Sequence, residues 1–194
     1  PYRLEVNHHR ITTPDLAEPL RIVLVADLQT DRLGEYEQRA MDAVRDAKPD
    51  LVLMSGDYLQ LGSLKRTAVA APHFRALFQD LLTDPELQPR YGIHAVAGNC
   101  ELGWDWEQLF AGTDIRTYDE TQSVDVGPVR LEALSFRHSR VGRRIEDVEG
   151  RFQIALGHCP DFALDSHLRA DLLLAGHCHG GQVRVPFFGP PITL

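Results

Sequence analysis

Five apolar stretches of this chain each stop abruptly at a polar side chain able to hold a metal ion or handle a proton. The run over residues 20–26 ends at Asp27, and that over 51–54 is followed at once by Ser55-Gly56-Asp57. The run over 92–97 leads into Gly98-Asn99, that over 152–156 into Gly157-His158, and that over 172–175 into Gly176-His177. Short continuous runs rich in Val, Ile and Leu read as strands buried on both faces. Between the first two, Tyr36, Ala40, Ala43, Val44 and Ala47 have helical spacing, closed by Pro49. A second helix is predicted over residues 72–82. Strands alternating with helices build parallel sheets, and the carboxyl ends of neighbouring parallel strands share one edge, where α/β proteins place their sites. Any fold of this chain therefore has to explain why five such ends carry polar residues.

The centre has another texture. Residues 115–118, 123–126 and 129–134 alternate polar and apolar side chains, and Gly127-Pro128 supplies a turn, so hairpins are expected there. Leu4-Glu5-Val6 reads as a short edge strand, and Trp104 and Trp106 as packing for a helix after the third run. An arginine-rich stretch follows over residues 136–151. The expected architecture is α/β, with mixed sheets packed face to face and helices outside. The 194 residues suit a single domain. Because the chain opens on Pro1 and stops at Pro190-Pro191-Ile192-Thr193-Leu194, it is expected to be an excised piece of a longer protein.

The polar residues at the strand ends are Asp27, Gln29, Asp57, Asn99, His158, His177 and His179. This mixed oxygen and imidazole set suits divalent first-row ions. The two-residue spacings Asp27–Gln29 and His177–His179 let both side chains of an extended segment point the same way. Seven ligands exceed what one tetrahedral ion needs and suit two ions about 3.5–4 Å apart sharing a carboxylate, an arrangement that clamps an in-line phosphoryl displacement.

Asp27-Leu28-Gln29, Gly56-Asp57-Tyr58, Gly98-Asn99-Cys100-Glu101, His158-Cys159-Pro160 and Gly176-His177-Cys178-His179-Gly180-Gly181-Gln182 together resemble the five blocks of the calcineurin-like metallophosphoesterases, in the family's order. The last block is similar to that of a bacterial branch of small, often membrane-associated members. The resemblance implies a four-layer α/β/β/α sandwich. It also implies two divalent ions, manganese first, with iron, zinc, nickel or magnesium as alternatives. Asp27, Gln29 and His179 would hold one ion, Asn99, His158 and His177 the other, and Asp57 would bridge them. A metal-bridging hydroxide would then hydrolyse a phosphodiester or pyrophosphate, with Asn99, Cys100 and His158 as the catalytic positions.

Two departures from the family pattern matter. Gln29 stands where the first block usually has His, and a Gln oxygen is a harder, weaker donor than imidazole. Cys100 stands where the third block usually has His, although some phosphodiesterase relatives carry the same Gly-Asn-Cys. General acid help is typically worth about 10²–10⁴ in rate, so diesters and pyrophosphates are expected ahead of monoesters with poor leaving groups. The same departures support an alternative, a degenerate non-catalytic scaffold for protein binding, as in the retromer subunit that shares the fold.

Arg137 and His138, at the start of the arginine-rich stretch, are the candidate substrate contacts, since the guanidinium fork suits bidentate phosphate binding. His8, His9, His73, His94 and His167 are expected at the surface or in packing. Cys100, Cys159 and Cys178 all fall within the motif loops, where a neighbouring cation would lower a thiol pKa. The net charge of −8, from 28 acidic and 20 basic residues, argues against a broad nucleic-acid surface. It does not exclude an anionic substrate, because two divalent ions would outweigh the site's two carboxylates. A small phosphoester, lipid- or nucleotide-linked, is the expected partner, and a cytoplasmic or inner-membrane-peripheral location the expected one.

Overall fold

A computed structural model describes residues 4–32, 34–60, 86–146 and 148–179, with positions 69, 71, 72, 74, 75 and 79 between them. Two four-stranded sheets organise them. In the first, β1 (Ile22–Val25), β2 (Leu51–Met54), β3 (Ile93–Val96) and β4 (Arg116–Tyr118) lie in that order. All three pairings are parallel. In the second, β5 (Gln122–Val126) and β6 (Val129–Ala133) form an antiparallel hairpin. β7 (Phe152–Leu156) and β8 (Leu172–Leu174) then add in parallel, so this sheet is mixed. The protein is thus of the α/β class, with two sheets and few helices among the described residues.

Residue alternation on β2 shows how the sheets are stacked. Leu51 and Leu53 face Val129, Leu131, Phe152, Ile154 and Leu156 of the second sheet in one buried cluster. Val52 and Met54 point the other way, into a cluster with Ala40, Met41 and Val44. Those three belong to α1 (Glu35–Asp46), whose apolar stripe is the one its sequence spacing predicts. β2 is consequently buried along its whole length, which explains its uninterrupted apolar run. A smaller cluster of Leu134, Ile145, Ala155 and Phe162 lies on the outer side of β7.

Several expectations need revising. Residues 4–6 carry no strand pairing. Val6 is exposed, and so short a run gains too few ladder bonds to hold itself in place. The alternating stretch at 115–118 belongs to no hairpin: β4 is a parallel edge strand of the first sheet. Alternation defines a half-buried strand but not its partner. Here the partner is set by Tyr118, whose ring stacks on His94 at 5.8 Å and whose hydroxyl lies 2.8 Å from His94 Nδ1. His94 is therefore a packing histidine, and burial lowers its pKa. After the third run there is only a 3-10 turn, Trp106–Phe110, in which Trp106 stacks on Tyr58. The arginine-rich stretch opens with a short helix, α2 (Phe136–Val141), capped by Ser135 Oγ. The helix predicted over 72–82 falls mostly outside the described residues; those described at 72, 74, 75 and 79 are helical. Among the described residues, no helix is long and apolar enough to cross a membrane.

Leu53, with no exposed surface, sits between the two sheets. Leu53→Ala is expected to lower the unfolding free energy by about 3 kcal/mol, read as a shift of the urea midpoint with little change in slope.

Candidate metal centre

The β1–β2 pairing does not stop at the strand ends. Asp27 N–H donates to Gly56 O at 3.3 Å, Gln29 N–H to Asp57 O at 2.8 Å and Thr30 N–H to Tyr58 O at 3.2 Å. Two loops therefore run side by side, and Asp27, Gln29 and Asp57 emerge next to one another. Glu37 fastens the far end, its carboxylate accepting from Gly34 N–H and from Thr30 Oγ1.

The second sheet joins at His158. This fully buried ring lies with Nδ1 2.7 Å from Ser55 O. A carbonyl can only accept, so Nδ1 carries a hydrogen and Nε2 is the nitrogen turned to the cluster. Nε2 lies 3.0 Å from Asn99 Oδ1, 3.1 Å from His177 Nδ1 and 3.5 Å from Asp57 Oδ1. Two imidazole nitrogens, an amide oxygen and a carboxylate oxygen converge in this way, a donor set that fits a divalent ion. His177 is tied to the first sheet in turn, its N–H donating to Asp27 Oδ1 at 2.9 Å.

Asp27, Asp57 and His179 form a second convergence, with ligand atoms within 4.8 Å of one another. Beside it, Ser55 Oγ is fully buried and has no hydrogen-bond partner among the described residues, an orphaned polar atom at the rim of the cluster. All seven predicted ligands thus come to one edge. Gln29, however, turns its amide nitrogen inward, donating to Asp57 Oδ2 at 2.8 Å and reaching Cys100 Sγ at 3.7 Å. Cys100 completes the loop with its N–H on Asp57 Oδ1 at 2.9 Å.

Such proximity has a steric requirement. A Cβ on Gly98 would lie 2.3 Å from Asp57 Oδ1, and one on Gly56 2.4 Å from Gly98 N. A Cβ on Gly176 would stand 2.8 Å from Ser55 Oγ. The glycine before each polar residue is what lets the loops touch. The backbone is strained here as well: Asp27, Gln29, Asp57, His177 and His179 all have φ between 39° and 70°. Among described non-glycine residues only Lys48, just past α1, shares that region.

Glu101, the last residue of the third block, has no role in the motif reading. It is buried, and Oε2 accepts from Asp57 N–H at 2.7 Å and Gly98 N–H at 2.8 Å while Oε1 accepts from Tyr58 N–H at 2.9 Å. Burial pushes its pKa up to about 7, against the pull of these backbone donors. One carboxylate thereby holds the second and third motif loops in register. Its only sequence signal is an acidic residue just past the third motif's polar pair.

The remaining predicted residues lie further out. Arg137 is exposed on α2. His138 Nδ1 lies 2.7 Å from Thr121 Oγ1. Neighbouring Phe136 places its ring 6.0 Å from that of His158, so the start of α2 adjoins the cluster. Burial pushes the Cys100 thiol up to about 12, reinforced by the Asp57 charge, and that of Cys159 to about 11. Gly180-Gly181-Gln182 and His73 fall outside the described residues.

A family model of calcineurin-like phosphoesterases matches residues 20–181. The chain belongs to that family. Similar curated proteins include the uncharacterized metallophosphoesterase YkoQ of Bacillus subtilis, 24% identical over 86% of this chain and 63% of the relative. The uncharacterized metallophosphoesterase YkuE of the same organism is 27% identical, over all of this chain and 71% of the relative. The phosphodiesterase YaeI of Escherichia coli is 25% identical, over 97% of this chain and 72% of the relative. This calcineurin-like phosphoesterase therefore carries candidate metal-ligand groups where its family membership calls for a metal.

Glu101→Gln keeps the size of the side chain but turns an N–H₂ group toward backbone donors. It is expected to cost about 2–3 kcal/mol, measured by thermal unfolding, and to weaken manganese uptake in the folded variant, measured by equilibrium dialysis.

Proposed function

We propose that this protein is a binuclear metal-dependent phosphodiesterase. The observation that carries the reading is the meeting of Asp57, Asn99 and His177 at His158 Nε2, next to the Asp27–Asp57–His179 trio. Asp57 is common to both and is the candidate bridge. Two divalent ions held there would supply an activated water and a clamp on the phosphoryl oxygens. The chain's own contribution is to hold the ligands rigidly, through Ser55 O on His158, Glu101 on the loop backbones, and Gln29 and the Cys100 N–H on Asp57.

Cys100 is the basis for preferring diesters or pyrophosphates. Its thiol is a poorer hydrogen-bond donor than the imidazolium that usually stands there, and so gives less help to a poor leaving group. Arg137, on the helix whose Phe136 adjoins His158, is the candidate phosphate contact, with His138 beside it. The substrate we propose is a small phosphodiester, lipid- or nucleotide-linked, handled by a single domain.

Hydrolysis of bis-p-nitrophenyl phosphate with added manganese tests this reading. Turnover is expected, abolished by chelator and reduced at least about 10³-fold by Asp57→Asn. A chain that folds tightly without metal and turns over no ester would instead be a scaffold. Cys100→His restores an acid at the leaving-group side and is expected to raise kcat on phenyl phosphate by about 10²-fold or more, with a smaller gain on the activated diester. Equal gains on both esters would rule out the leaving-group role.

A further inference from the structure

Among the described residues, the His, Cys, Asp and Glu side chains converge in two trios of different character. One, Asp27–Asp57–His179, offers two carboxylates and an imidazole. The other is His158–Cys159–His177, with two imidazoles and a sulfur. We infer that Cys159 is a thiolate ligand at the His158/His177 position, which makes that half of the centre selective for a thiophilic ion such as zinc or cobalt. This rests on the reading of the strand-end cluster as a metal centre, and it adds a ligand that the motif pattern does not assign.

The geometry points that way. The sulfur and the imidazole nitrogens lie within 4.8 Å of one another. With metal–sulfur bonds of about 2.3 Å and metal–nitrogen bonds of about 2.0 Å, tetrahedral donors stand roughly 3.5 Å apart, so a shift of about 1 Å closes the shell. The neighbouring groups are fixed. Cys159 N–H donates to Ser139 Oγ at 3.2 Å, and its side chain is 1% exposed, so the sulfur is held inside the protein. His158 is held by Ser55 O, which leaves Nε2 for the ion. Asn99 Oδ1, 3.0 Å from that nitrogen, and Asp57 Oδ1, 3.5 Å from it, bring the set to two nitrogens, one sulfur and two oxygens.

Donor chemistry then separates the two positions. Carboxylates suit manganese or magnesium, whereas imidazole with thiolate suits zinc and cobalt. On coordination the Cys159 S–H proton passes to solvent and a sulfur–metal bond forms, with no change in oxidation state. Only one of the two positions gains the thiolate, so the chain is expected to load unlike ions when offered a mixture.

The test is titration of the full chain with cobalt(II), followed by absorption. Cobalt bound through thiolate gives a sulfur-to-metal charge-transfer band in the near ultraviolet, in addition to the visible ligand-field bands that any bound cobalt shows. The wild type should show both. Cys159→Ser should lose the charge-transfer band and keep ligand-field absorption from the Asp27–Asp57–His179 position. Cys100→Ser and Cys178→Ser should keep both. Ligand-field bands without charge transfer in the wild type would overturn the assignment while leaving the metal centre standing. A charge-transfer band that survives Cys159→Ser, or vanishes with Cys100 or Cys178, would overturn it equally. No cobalt uptake at all would overturn the metal centre and the assignment together. The wild-type spectrum is decisive even where a variant fails to fold.

Discussion

The hydrogen bond from His158 Nδ1 to Ser55 O is the contact on which the site depends. It is 2.7 Å long, fully buried, and joins the carboxyl end of the second sheet to that of the first. It does two jobs at once. Mechanically it brings β7 to the loop that carries Asp57. Chemically it places a hydrogen on Nδ1, so that Nε2 faces Asn99, Asp57 and His177 rather than the core. A buried ring free to turn would satisfy its acceptors with its own N–H, and the convergence that suits a cation would be lost.

Holding polar groups this close opposes folding locally. Five ligand-position residues occupy left-handed backbone, at about 1 kcal/mol or more each, and polar side chains crowd a buried edge. The opposing weight comes from the cores behind the site. The inter-sheet cluster buries Leu51, Leu53, Leu131, Ile154 and Leu156 completely, at about 1.5–3 kcal/mol per side chain. Glu101 adds a rigid clamp between the two. Strain at the strand ends is thus carried by strands whose middles are almost wholly apolar.

Much of this was legible in the sequence because it depends on short-range pattern. Apolar runs that stop at Asp27, Asp57, Asn99, His158 and His177 mark parallel strands with a shared functional edge, and the glycine ahead of Asp57, Asn99, His158 and His177 marks close approach. What pattern alone misread were partners. Residues 115–118 alternate as a hairpin strand would, yet Tyr118 meets His94 and the strand joins β3 in parallel. Residues 4–6 are strand-like in composition, yet among the described residues they join no strand ladder. Glu101 and the carbonyl of Ser55 give almost no signal, since a single carboxylate or backbone oxygen carries no periodicity.

By itself, then, the sequence determined the class of fold, the identity of the seven polar residues at the strand ends, and the two substitutions, Gln29 and Cys100, that set this member apart from the family pattern. The first two follow from local alternation and spacing, which a chain expresses before any long-range contact forms; the substitutions are read from the resemblance to the family. Only the tertiary structure decided that Gln29 offers its nitrogen to Asp57, that Glu101 gathers three backbone donors, and that Cys159 shares a convergence with His158 and His177. Each of these depends on which loop lies against which, and that is settled by how two sheets stack rather than by any residue's neighbours in the chain.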